Sequence, residues 1–151
     1  MALADWQISY GGLVMGEGTS YDIEEIRGLD DLPDVDSADL DPVRDGQIPG
    51  TDYARGRTIV ATIRPAGASA ADYATLVAAL RAATAISPDA LPPLNVKRAG
   101  ESERIVYCRP RRRSLPTTMT SSVSWHEQAV IEWHAADPNI YDAAVTSTVL
   151  V

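Results

Sequence analysis

Phenylalanine is absent from this 151-residue chain, cysteine occurs once (Cys108), histidine twice, and a single lysine (Lys97) stands among 13 basic residues. One thiol excludes an internal disulfide and any multi-cysteine zinc site, and two histidines leave little for metal chemistry. No stretch approaches the ~20 apolar residues that span a bilayer. The N-terminal MALADWQISY also lacks the basic start and apolar run of a secretory signal. Membrane insertion is therefore not expected, and synthesis and assembly in a cytoplasm are. Basic charge is also scarce: 21 acids outnumber the bases, for a net charge of −8. Such a balance argues against coating nucleic acid or anionic membrane through bulk charge. What remains, 45% hydrophobic and 23% charged, is ordinary globular composition. Its length suits one domain with one core.

The charges are clustered. Ten acids lie between Asp22 and Asp45 against Arg27 and Arg44, and seven bases lie between Lys97 and Arg113 against Glu101 and Glu103. One reading is two solvated surfaces. The other is a self-complementary pair, with Asp34, Asp36, Asp39 and Asp41 of one copy facing Arg109, Arg111, Arg112 and Arg113 of the next, which favours head-to-tail association.

Hydrophobic periodicity predicts short strands at Trp6–Tyr10 and Leu13–Met15, and a third over Thr19–Arg27. Gly28–Gly50 has few apolar residues, three prolines and two turn signals, and reads as an irregular acidic excursion within the domain. Arg57–Arg64 is β-branched and bounded by Gly56 and Pro65, a strand. Over Ser69–Ala85 the period changes: Tyr73, Leu76, Val77 and Leu80 share a helical face, Ser69 can cap, and Asp72 suits the first turn. Strands are then predicted at Leu94–Arg98 and Arg104–Arg109, with Val106 and Cys108 facing the core. Arg111–Ser114 reads as a basic break. Thr117–Trp125 and Gln128–Ala135 read as one bent strand or two in series, and Ala143–Val151 as a last strand. The expected class is mainly β, a sandwich or partly open barrel with one packed helix.

No catalytic constellation emerges. Gly11, Gly12, Gly16 and Gly18 match no phosphate loop, since no lysine follows and the next segment reads as strand. Counted from Asp34 as a calcium loop, the sixth position is Asp39 rather than Gly and the twelfth is Asp45 rather than Glu. His126 and His134 would stand about 26 Å apart on a strand or about 12 Å apart on a helix, too far for one metal, and read as partly buried strand residues. No GxSxG elbow is present, and Cys108 reads as an inert buried thiol. Neither an enzyme nor a cofactor is expected.

One constellation resembles a known family. Val130–Tyr141 (VIEWHAADPNIY) is an apolar strand ending in Trp133, followed by Asp137-Pro138 and Tyr141. It resembles the closing motif of bacteriophage distal tail proteins, minor tail proteins of long, flexible-tailed phages. Tyr21-Asp22-Ile23 with Gly28-Leu29, and Asp45-Gly46 with Gly50, Tyr53, Gly56 and Arg57, resemble that family's earlier blocks. The likeness spreads from about Trp6 to Tyr141. It implies a non-enzymatic virion protein with a fold related to tail-tube subunits. Such a protein forms a ring, usually a hexamer, between the tail tube and the tail-tip or baseplate hub. Many members carry a further carbohydrate-binding-like domain, for which 151 residues leave no room, so a minimal ring-forming version is expected. A hexamer would carry roughly −48, and an anionic lumen would let DNA pass without sticking. The alternatives are a tail-tube or tail-completion protein, or a small carbohydrate-binding β-sandwich in which Trp125 and Trp133 form an exposed platform.

Overall fold

The computed structural model describes residues 2–40, 45–46, 48–117 and 124–143. Eleven strands and one helix are assigned among them. Strands β1 (Gln7–Tyr10), β2 (Leu13–Gly16), β7 (Pro93–Lys97), β8 (Arg104–Tyr107) and β11 (Tyr141–Asp142) form a sheet of order β11-β8-β7-β1-β2. Strands β3 (Tyr21–Arg27), β6 (Arg57–Pro65), β9 (Arg109–Ser114) and β10 (Ala129–Ala135) form a second, of order β3-β6-β10-β9. All ladders are antiparallel. Neither sheet closes into a barrel, and the fold is mainly β with one packed helix, as the sequence pattern predicts.

The period-2 signal is realised in β6 and β10. Ile59, Ala61 and Ile63 from one, and Ala129, Ile131, Trp133 and Ala135 from the other, are fully buried. They meet Ile8, Tyr10, Met15, Leu94, Val96 and Val106 of the facing sheet in one core. Trp133 supplies the volume that phenylalanine would otherwise provide. Its ring lies 5.6 Å from that of Tyr10, tilted by 60°, a favoured aromatic geometry. The Tyr10 hydroxyl donates to the Cys108 carbonyl at 3.1 Å. Cys108 is the single residue between β8 and β9, where the chain bends from one sheet into the other.

Helix α1 (Ala70–Ala83) begins where predicted. The Ser69 hydroxyl accepts from the Asp72 amide at 3.2 Å, and the Asp72 carboxylate accepts from the Ala68 amide at 2.9 Å, a reciprocal cap. Leu80 is buried on its inner face. At its C-terminus Arg113 donates through Nη1 to the Arg81 carbonyl at 2.9 Å and to Thr84 Oγ1 at 2.8 Å, placing a cation where the helix dipole is negative.

Four expectations need correction. Arg111–Ser114 is not a break but part of strand β9 (Arg109–Ser114), paired to β10 with a bulge opposite Glu132/Trp133. Its register comes from β10, since RPRRRS has no apolar period of its own. Trp6 does not share the buried face of Ile8 and Tyr10: it lies in a turn with φ of 59° and is 58% exposed. Within Gly28–Gly50, read as irregular, β4 (Val35–Ser37) pairs with β5 (Asp52–Ala54) just beyond it, and Leu40 bridges Ile48, making a two-stranded arm. Ser124–Gln128 lies outside β10, with His126 exposed and bridged to Ala66. The strand expected at Ala143–Val151 falls outside the described residues beyond Ala143.

Candidate functional site

Three features stand out from the sandwich: a latch centred on Arg57, the arm that the latch secures, and the arginine-bearing flank along β9.

Arg57 opens β6, and its guanidinium faces carbonyls rather than carboxylates. Nη1 donates to the carbonyls of Gly28 (2.7 Å), Leu29 (2.8 Å) and Asp31 (2.8 Å), and Nε donates to the carbonyl of Pro138 at 3.0 Å. One side chain thus ties the end of β3 and the root of the arm to the turn after β10. A planar, permanently charged donor fork suits this task, and a lysine ammonium would not reproduce it. Gly28 sits at φ of 88°, and a Cβ there would overlap the Thr58 carbonyl oxygen, so the crossing requires glycine.

The turn held by Arg57 is itself organised by Asp137. Its carboxylate accepts from the Asn139 amide (3.0 Å), the Asn139 side-chain amide (2.7 Å) and the Tyr141 hydroxyl (2.5 Å). This is an Asx-turn, with Pro138 supplying a fixed φ. The Tyr141 hydroxyl, then the Asn139 amide, hold the Asp137 carboxyl below its ordinary range. Tyr141 also meets Tyr107 edge-on, with ring centroids 6.1 Å apart. Of the residues that carry the family resemblance, Arg57, Pro138, Asp137 and Tyr141 therefore connect into one latch through direct hydrogen bonds. Trp133 lies in the core on the strand leading into it, and Gly46 lies apart, in the arm with φ of 107°.

The arm leaves the sandwich between Asp31 and Arg55, and every residue of β4 and β5 is exposed. So are Leu32, Val35, Leu40, Ile48 and Tyr53, about half of the large exposed hydrophobics among the described residues. Asp36 pairs with Arg55 at 2.6 Å, and Asp39 accepts from the Gly50 amide at 2.8 Å, which with Ser37 lowers its pKa. The Asp34 carboxylate makes no hydrogen bond or close ion pair among the described residues, its charge acting on Arg55 at longer range, and Asp41 lies outside them.

The basic cluster divides. Arg98 and Arg104 share Asp30 and Glu101, with Arg98 at 2.5 Å from Asp30 and 2.9 Å from Glu101. The acidic and basic runs therefore meet first within one copy. Arg113 caps the helix, and Arg109 reaches the Pro88 carbonyl at 3.4 Å. Arg111 and Arg112 are exposed and make no ion pair among the described residues.

A groove of about 900 Å³ opens between β1 and β7 on one side and β3 on the other. Its floor is Ile8, Ile23, Ile26, Leu29 and Val96, and the Arg27–Glu25 and Arg98–Asp30 pairs line it. Among the described residues no cluster of three or more His, Cys, Asp or Glu is placed to hold a metal. Burial pushes the Cys108 thiol up to about 12, which leaves it protonated and unreactive. Trp133 is fully buried whereas Trp125 is half-buried with φ of 54°, so the two do not form an exposed platform.

The latch escaped sequence reasoning as a unit because the acceptors of Arg57 are backbone carbonyls, which carry no residue signature. The open β9 flank was hidden for the reason that hid the strand itself.

No protein-family model matches this chain, and no curated protein matches it. Among solved structures, the fold is similar to the Dit protein of phage SPP1, described as a paradigm of the hub adsorption apparatus in phages that infect Gram-positive bacteria. The TM-score is 0.68 at 15% sequence identity, and the match covers 90% of this chain. The chain spans about half of that protein, 51% of its length.

Proposed function

We propose that this chain is a structural subunit of a bacteriophage tail, without catalytic activity. It forms a ring, a hexamer, at the distal end of the tail and links the tail tube to the tail-tip or baseplate hub. It resides in the virion after assembly in the host cytoplasm. The observation that carries this reading is the overlap of nearly the whole described fold with a phage tail hub protein. The resemblance of the Trp133–Tyr141 and Gly46–Arg57 blocks to distal tail proteins supports it from the sequence side. In this reading residues 1–151 are one ring-forming domain, and the acidic excursion of residues 28–50 within it carries the first strand of the arm.

The physical design suits the role. A ring subunit needs a rigid body and a projecting element whose apolar side chains find their cover on another chain. The latch holds that element at a defined exit angle through uncharged acceptors, so its hold is little screened by salt.

The test is to locate the chain on the particle. Electron cryo-microscopy of intact tails, with mass photometry of the purified protein, is expected to place the chain in a ring between tube and tip. Isolated monomers in both free and tail-bound states, or a chain absent from the tail, would overturn the reading.

A further inference from the structure

The arm and the β9 flank are complementary in chemistry, and each is incompatible with itself. The connection from Thr84 to Pro92 runs beside β9: Arg113 reaches Thr84, Arg109 reaches Pro88, and the Cys108 amide donates to the Pro92 carbonyl at 3.2 Å. That connection presents Ile86, 88% exposed, and Leu91 alongside Arg111 and Arg112, which are exposed and make no ion pair among the described residues. The flank is therefore apolar and net basic, with the exposed Asp89 of the connection set against the arginines of β9. The arm is net acidic and apolar together: Asp34 and Asp36 stand on either side of Val35 with Arg55 as their one shared cation among the described residues, and Leu32, Leu40 and Tyr53 are exposed nearby in the chain.

We infer that the arm of one copy docks on the β9 flank of the next, with Asp34 and Asp36 against Arg111 and Arg112 and the arm's apolar side chains over Ile86 and Leu91. This rests on the ring reading and names its subunit contact. The occupant is a second copy because the chain carries both halves of the match. Like charge opposes arm on arm and flank on flank, so a two-fold contact through either patch alone is disfavoured. A contact of arm on flank remains, and under the ring reading it repeats head to tail. Pro110, the bulge and the arginines on β9 also discourage indiscriminate strand addition there, leaving the flank selective for an acidic partner.

The same logic predicts a rescue that a merely structural role for these exposed side chains would not give. The purified chain is expected to self-associate at low salt and to weaken about tenfold or more as salt rises past physiological strength. D34R/D36R and R111D/R112D, each alone, are expected to be monomeric with unchanged far-ultraviolet circular dichroism and melting. Mixing the two restores assembly, because each reversed patch then finds its opposite on the other variant. The quadruple variant assembles by itself. Wild-type rings that survive either reversal, or a mixture that stays monomeric, overturn this contact while leaving the ring reading standing. A wild-type chain monomeric at every salt concentration also overturns it, and imaging of tails then decides the ring reading separately.

Discussion

Strands β6 and β4 are both antiparallel ladder strands, yet alternate side chains of β6 are fully buried while all three residues of β4 are exposed. The sandwich meets the condition for independent stability, with two sheets covering one core. The arm does not, since a lone two-stranded ladder is marginal in water. What holds the arm's root is the Arg57 latch together with the buried Leu29 and the Asp30–Arg98 pair, while the arm beyond it is exposed. The difference teaches that this chain has a part that folds for itself and a part that presents apolar surface outward.

The largest expected effect contrasts thiols in the two regions. Cys108, buried and with its pKa pushed up to about 12, should resist alkylation near pH 8 until the protein is denatured. V35C in the arm should react like a free thiol, faster by roughly a thousandfold or more; comparable rates would break the comparison. Next comes the core: W133A should cost about 3–5 kcal/mol, seen as a melting temperature lower by roughly 10 °C. R57A should cost about 2–3 kcal/mol, because several carbonyls lose a charged donor. It should also speed amide exchange at residues 29–31 more than in β10, and R57K should not restore it. Replacing residues 33–53 by a short flexible linker should change stability by less than about 1 kcal/mol. A loss as large as that of W133A would show that the arm is part of the core after all.

The smallest effect is at the turn. The folded-state pKa of Asp137 lies below its unfolded value, so its stabilising contribution is present above the unfolded pKa and fades as pH falls through the folded one. Y141F removes the largest cause of that shift and should move the Asp137 titration, followed by carboxyl NMR, up toward the ordinary aspartate range. An unmoved titration would show that the Asn139 donors alone set it.

Legibility in the sequence followed how local each signal was. The helix was readable because Leu76, Val77 and Leu80 repeat at its period and Ser69 and Asp72 mark its start. β6 was readable because β-branched residues alternate between glycine and proline. β9 was not, since arginine and proline carry no strand period and its pairing comes from β10. Trp6 misled because a bulky aromatic in step with Ile8 and Tyr10 imitates a core position, while the backbone turns there with positive φ. Of the candidate interface charges, the acidic and basic runs were visible as runs. That Asp30 is satisfied by Arg98 and Arg104 while Arg111 and Arg112 make no ion pair among the described residues was not.

By itself the sequence determined the class of this protein. Its hydrophobic periods, caps and breakers act over a few residues and set strands and one helix without reference to the rest of the chain. Only the tertiary structure decided which carbonyls converge on Arg57, which arginines find an acid within the described fold, and that an acidic stretch becomes a paired arm. Those outcomes depend on distances between segments as far apart as Gly28 and Pro138, and such distances are fixed only when the two sheets close over one core.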